Sequence, residues 1–193
     1  EVLLEFASGY PRFAVGASYI VEMKQPVVTV NGPTESGGSI SVPDTARWHV
    51  GSIGKSITAS LVMRLVERGE LDLDAPIGQY LPAYRDRMHP DWTSTSLRRL
   101  LSHTSGLPVA FPSELTQDIY NYAPIPGRRA ALSAMWDVPM AGQIGQFSYS
   151  NVGYVLAGLV IEEVTGLSWE SAIRMEIAEP LNLTSLGFGA PTE

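Results

Sequence analysis

From Phe13 to Met23 the chain alternates with a period of two. Phe13, Val15, Ala17, Tyr19, Val21 and Met23 share one face, and Gly16, Ser18, Glu22 and Lys24 the other. Such alternation predicts a half-buried β-strand. Gln25-Pro26 reads as a turn and Val27-Val28-Thr29-Val30 as a short β-branched run, so residues 13–30 are expected to form a hairpin. Residues 31–38, with Asn31-Gly32-Pro33 and Gly37-Gly38, read as loop.

After Trp48 the period changes. Ile53, Ile57, Leu61 and Leu65, with Val62 and Val66, recur at helical spacing, which predicts a helix from Ser52 to Arg68 stopped by Gly69. Leu71 to Tyr84 holds two prolines and reads as irregular. Thr93-Ser94-Thr95 offers the cap of a short helix through Leu100-Leu101, ending near Gly106-Leu107-Pro108. Residues 109–146 mix proline, glycine and aromatics and predict no regular element. Val152 to Val164 is apolar nearly all round, the mark of a buried helix, and Ser168 to Glu179 is amphipathic up to Pro180. Strands precede helices, which points to an α+β fold.

Composition narrows the function classes. The chain has 193 residues, 45% hydrophobic and 17% charged, the make-up of a globular domain. A net charge of −7 with scattered basic residues argues against nucleic acid as a partner. The longest apolar run, Val152 to Ile161, is about half of what a transmembrane segment needs. Zero cysteines exclude disulfides, thiol nucleophiles and zinc–thiolate sites. Three histidines without a close pair make a poor metal site, so neither metal nor cofactor is expected. The chain begins at Glu1 without a basic-then-apolar leader, so upstream sequence is expected to have been removed or left out.

Candidate chemistry starts at His49-Val50-Gly51-Ser52-Ile53-Gly54-Lys55-Ser56. Gly54-Lys55-Ser56 matches the end of a phosphate-binding loop, but that pattern needs glycine where His49 stands and an apolar strand before it. Ser52 and Lys55 instead form an S-x-x-K pair on one helix face, about 5–6 Å apart at Cβ. A serine hydroxyl becomes a good nucleophile when a neighbouring base takes its proton, and a lysine can do so when its amine is held neutral. The 19 serines and two lysines of the chain would give about 0.2 such pairs by chance. The plainer reading, Ser52 as a helix cap and Lys55 as a solvated surface residue, stays open from these residues alone. Tyr149-Ser150-Asn151 is the second candidate. A phenol near an ammonium can shuttle protons. Asn151 could hydrogen-bond Lys55 or a substrate carbonyl, or simply cap the helix that follows.

These segments resemble a known family. Trp48 to Ala59, Leu65 to Pro76, Leu100-Leu101-Ser102-His103-Thr104-Ser105-Gly106-Leu107, Phe147 to Tyr154 and Pro180 to Thr184 are similar to the serine β-lactamase and penicillin-binding-protein superfamily. The likeness is to its class C-like branch of β-lactamases, D-Ala-D-Ala carboxypeptidases and related esterases. It implies a β-lactamase-like α+β fold: an N-terminal antiparallel hairpin of an incomplete sheet, with strands over 13–50, then a mostly helical region over 52–190. It also implies a serine hydrolase or acyltransferase of the S-x-x-K type. In that reading Ser52 is the acylated nucleophile, Lys55 and Tyr149 a coupled base, and Asn151 a substrate-binding residue that also positions Lys55. The substrate would be a β-lactam, a D-Ala-D-Ala peptide or a carboxylic ester, and the compartment periplasmic or extracellular.

The family's Lys-Thr-Gly or His-x-Gly motif, on a late strand, has no counterpart here, and the C-terminal strands are absent. The chain is therefore expected to be the N-terminal part of a larger enzyme. A complementary C-terminal chain, or a second copy in a homo-oligomer, would complete the sheet. The alternative is a non-catalytic fragment that binds a ligand or partner without turnover. The resemblance implies that His103 lies in a structural turn, in a packing rather than a catalytic role; His49 reads as packing, and Arg98-Arg99 and Arg128-Arg129 read as solvated faces.

Overall fold

The computed structural model describes residues 2–22, 26–115 and 124–189. The chain divides into two compact units, one running to His49 with the final segment from Gly189, the other from Val50 to Phe188.

In the first unit helix α1 (Val2–Ser8) precedes strands β1 (Val15–Tyr19) and β2 (Val27–Asn31). The strands pair antiparallel, with Val15 opposite Asn31, Ala17 opposite Thr29 and Tyr19 opposite Val27. The hairpin is present but shorter than the alternation predicts: β1 stops at Tyr19, and Met23 to Gln25 lie outside the described residues. Its predicted buried face is open, with Phe13 63% and Tyr19 59% exposed. Alternation and β-branching report pairing, whereas burial depends on what covers the face. Two described strands leave most of it uncovered.

The second unit begins with α2 (Ile53–Glu67), close to the predicted helix. Its C-terminus closes in a Schellman motif: the Gly69 N–H donates to the Val66 carbonyl and the Glu70 N–H to the Leu65 carbonyl, both at 2.9 Å. Gly69 turns the chain at φ +75°, where a side chain would be strained. Arg64 and Arg68 reach Glu176 at 3.3 and 2.7 Å from the same end. The irregular stretch 71–84 contains one 3₁₀ turn, Ile77–Gln79.

Two short helices follow, α3 (Pro90–Ser94) and α4 (Leu97–Leu101). The predicted cap at Thr93–Thr95 is corrected to Ser96, whose Oγ accepts the Arg99 N–H; Thr93 and Ser94 belong to α3, which Pro90 opens. The chain leaves α4 at His103, in a left-handed conformation at φ +58°, earlier than the predicted stop at Gly106. Helix α5 (Pro124–Ser133) lies in the stretch where no element was predicted. Helix α6 (Asn151–Thr165) matches the apolar run, and α7 (Trp169–Ile173) continues as a π-helical turn, Arg174–Ala178, rather than as uniform α-helix.

Helix α6 is the centre of the core. Its Val152, Leu156, Leu159, Val160 and Ile161 are buried with Leu61, Val62 and Leu65 of α2 and Leu97 and Leu100 of α4. Leu132 of α5 and Ile173 of α7 join the same cluster. Each such side chain contributes about 1.5–3 kcal/mol by leaving water. Trp92 and Trp136 meet edge to face at 5.9 Å, and the Trp92 indole N–H donates to the Val138 carbonyl.

Arg128 is not on a solvated face. Its side chain is 17% exposed and pairs with Glu162, nearly buried in α6, and with Glu170 at 2.7 Å. A carboxylate inside an apolar helix needs a cation, and α5 delivers one. Arg98 does lie at the surface, bidentate on Asp74 at 2.7 and 2.8 Å. Among the described residues no single helix is long and apolar enough to cross a membrane; α6 and the segment after it reach that length only together, across a 79° bend.

Candidate active site

Two loops set the site. Residues 103–109 and 141–151 are zipped together by backbone hydrogen bonds. The Gly142 N–H donates to the Gly106 carbonyl (3.0 Å), and the Gly145 N–H to that of Thr104 (2.8 Å). The Ser148 N–H donates to the His103 carbonyl and the Asn151 N–H to that of Val109, both at 2.8 Å. Gly106 sits at φ +81°, and a Cβ there would lie 2.5 Å from the Gly142 carbonyl oxygen, so only glycine fits. The zipper delivers Tyr149 to the N-terminus of α2.

Ser52 is the residue before that helix, but its backbone is already helical at φ −68°, ψ −7°, and its hydroxyl makes no capping bond. Its Oγ is instead 2.7 Å from the Tyr149 hydroxyl and accepts from Lys55 Nζ at 3.2 Å. Lys55, one turn along the same face, lies 4.9 Å from the centre of the Tyr149 ring and 5.6 Å from that of Tyr154. The ammonium of Lys55 and then the bond to Ser52 hold the Tyr149 phenol below its ordinary value. Ser52 is exposed, while Lys55 and Tyr149 are half-buried. The Ser52 backbone N–H has no acceptor among the described residues. This is a hydroxyl held between a phenol and an ammonium, next to a free N–H donor at a helix N-terminus.

The other candidates fall differently. Gly54-Lys55-Ser56 lies in the first turn of α2 with no strand over residues 43–50, and Lys55 is engaged with Ser52, so nothing here resembles a phosphate loop. Asn151 opens α6 with an exposed side chain that makes no hydrogen bond to Lys55 or to any other described residue. The capping role considered for it belongs to Ser150, whose Oγ accepts the Gly153 N–H at 2.9 Å and donates to the Pro108 carbonyl at 2.6 Å. His49 is exposed rather than packed. His103 touches the site directly: its ring stacks on Tyr149 with centroids 4.3 Å apart, and its Nδ1 accepts the Ser150 N–H at 3.1 Å. No residue spacing ties His103 to Tyr149; the loop zipper does. Among the described residues no cluster of His, Cys, Asp or Glu could hold a metal ion.

The family model described as Beta-lactamase matches residues 10–193. The chain belongs to this family. The family likeness and the β-lactamase-like α+β fold expected from the motifs are thereby borne out. Penicillin-binding protein 4 of Amycolatopsis lactamdurans is 32% identical over 160 residues, 79% of this chain and 39% of the relative. Esterase/beta-lactamase LipL of Mycobacterium tuberculosis is 30% identical over 197 residues, 98% of this chain and 43% of the relative. The chain thus spans about two fifths of the length of these curated relatives.

Among solved structures, the octameric penicillin-binding protein homologue from Pyrococcus abyssi superposes with a TM-score of 0.76 at 26% identity. It covers 95% of this chain and 42% of its own. A D-stereospecific amidohydrolase from Streptomyces sp. superposes with a TM-score of 0.68 at 29% identity over 93% of this chain and 53% of its own.

Proposed function

We propose that this family member acts as a serine hydrolase or acyltransferase through an acyl-Ser52 intermediate. One observation carries the reading: the Ser52 hydroxyl, free of any capping bond, is shared between Tyr149 and Lys55. As Oγ attacks a substrate carbonyl, its proton passes to the Tyr149–Lys55 unit, and the carbonyl oxygen takes up negative charge beside the Ser52 N–H. A donor of that kind contributes about 3–4 kcal/mol in related acyl transfers. As the tetrahedral intermediate collapses, the leaving nitrogen or oxygen takes the proton from the same unit and departs as an amine or alcohol. Water adds to the acyl-enzyme and gives up a proton to the unit; as this second intermediate collapses the C–Oγ bond breaks, Ser52 Oγ takes that proton back and the carboxylic acid leaves. Tyrosine and lysine work here as one coupled base, so neither carries a separate pKa assignment in the cycle.

The substrate is a carbonyl compound with a good amide-like or ester leaving group: a β-lactam, a D-Ala-D-Ala peptide or a simple carboxylic ester. The names of the relatives, an esterase/β-lactamase, a penicillin-binding protein and a D-stereospecific amidohydrolase, support that range. Asn151, exposed at the mouth of α6 beside Tyr149, is the amide assigned to the substrate carbonyl. Hydrolysis of nitrocefin and of p-nitrophenyl butyrate, measured beside Ser52→Ala, tests the proposal and chooses the class. Turnover of either substrate that vanishes in the variant is the expected result. Turnover that survives the substitution overturns the proposal, a Ser52-dependent stoichiometric burst shows acylation without deacylation, and no product release at all identifies a binding-only protein.

A further inference from the structure

We infer that His103 is the positioning residue of this site: it clamps the chain on both sides of Tyr149 and supports the ring between, and the clamp requires a neutral imidazole. The His103 carbonyl accepts the Ser148 N–H at 2.8 Å, and its Nδ1 accepts the Ser150 N–H at 3.1 Å. Between those bonds the Tyr149 ring lies 4.3 Å from the imidazole, tilted by 30°. One residue therefore fixes the backbone before Tyr149, the backbone after it and the ring plane, and with them the phenol 2.7 Å from Ser52. His103 adopts φ +58°, a left-handed conformation that a residue with a Cβ keeps only where its surroundings fix it. Tyr154 of α6 supports the imidazole in turn, 5.2 Å from it and anchored by a hydrogen bond from its hydroxyl to the Leu101 carbonyl.

An Nδ1 that accepts places the ring proton on Nε2. Protonation makes Nδ1 a donor facing the Ser150 N–H, so that bond is lost and the phenol is no longer held from that side. The titratable groups facing the ring are Lys55 from α2, Tyr149 beneath it and Tyr154 from α6. Burial and then the Lys55 charge hold the imidazole below its ordinary range. The clamp consequently stands at neutral pH and opens in acid.

The catalytic consequence rests on the acyl-Ser52 reading; the clamp itself does not, and two measurements separate them. In ¹⁵N-labelled protein, His103 Nδ1 should be unprotonated at pH 7.5, and the Ser150 amide resonance should titrate with the imidazole. A protonated Nδ1, or a Ser150 amide indifferent to that titration, overturns the clamp whatever the enzyme does.

Labelling rates with a fluorophosphonate, normalised to the folded fraction, read the consequence. His103→Phe keeps a ring without an acceptor and should label at least ten-fold more slowly. His103→Asn tolerates the left-handed backbone and restores an acceptor oxygen near the Nδ1 position. It should label at least three-fold faster than the phenylalanine variant and lose the acid-limb step of the wild type. Equal rates for the two variants, or an unchanged acid limb in His103→Asn, contradict the inference. Wild-type protein that never labels while the Ser150 amide behaves as stated contradicts the Ser52 reading alone.

Discussion

Two serines stand at the N-termini of the two fifteen-residue helices, and the structure uses them in opposite ways. Ser150 has extended backbone (φ −136°, ψ 120°), is buried, and closes the first turn of α6 while tying the loop at Pro108. Ser52 is already helical, exposed and without a capping bond, so its hydroxyl is available to Tyr149 and Lys55. An extended N-cap aims its oxygen at the N–H groups ahead of it, whereas a helical one lets the oxygen swing along the helix face. A rotation of the backbone by one dihedral well thus separates a serine spent on capping from one whose hydroxyl faces Tyr149 and Lys55.

Substitutions should split the pair cleanly. The largest effect is expected at Ser52. Ser52→Ala should reduce fluorophosphonate labelling to background and leave the melting temperature within about 2 °C, since no capping bond is lost. Next come Lys55→Met and Tyr149→Phe, which should each slow labelling by about 10²–10⁴-fold, the usual worth of a positioned acid–base group. Comparable labelling in either variant would mean that the contacts to Ser52 are incidental.

The pH profile is a smaller effect with a definite sign. Because Lys55 and Ser52 hold the Tyr149 phenol below its ordinary value, the ionised form appears at lower pH than in a free tyrosine. The rate should therefore rise with pH and level off below the ordinary phenol range, and Tyr149→Phe should abolish that rise. Ser150→Ala should do the reverse of Ser52→Ala. Losing the cap costs about 1–2 kcal/mol, which in a chain of this size lowers the melting temperature by about 2–8 °C, with labelling per folded molecule within about three-fold. The mildest test is Gly69→Ala. The φ of +75° opposes a Cβ there, but open space surrounds it, so about 1–2 kcal/mol and no change in labelling are expected.

Much of this is legible in the amino-acid sequence, for reasons that differ by region. The spacing of Ile53, Ile57, Leu61 and Leu65 and the stop at Gly69 fixed α2 to within a residue, because a helix face and a left-handed cap are local properties. The S-x-x-K pair was visible for the same reason. Tyr149 was visible only as a motif, since its approach to Ser52 depends on a zipper between two loops far apart in the chain. The family likeness marks His103 only as a turn residue, and the partner of its Nδ1, a backbone N–H, leaves no mark on side-chain pattern. Arg128 reads as solvated from its own neighbours, although Glu162 inside an apolar helix calls for a buried cation. The hairpin shows the converse failure: period two located the strands correctly, and the burial it suggested required cover that the described sheet lacks.

The contrast between the two serines reduces to one measurement. After reaction with a fluorophosphonate at pH 7.5, digestion and peptide mass spectrometry should place a single adduct on Ser52 and none on Ser150, and no adduct should form in Ser52→Ala. An adduct on any other residue, or one that persists in Ser52→Ala, would contradict the assignment of Ser52 as the nucleophile.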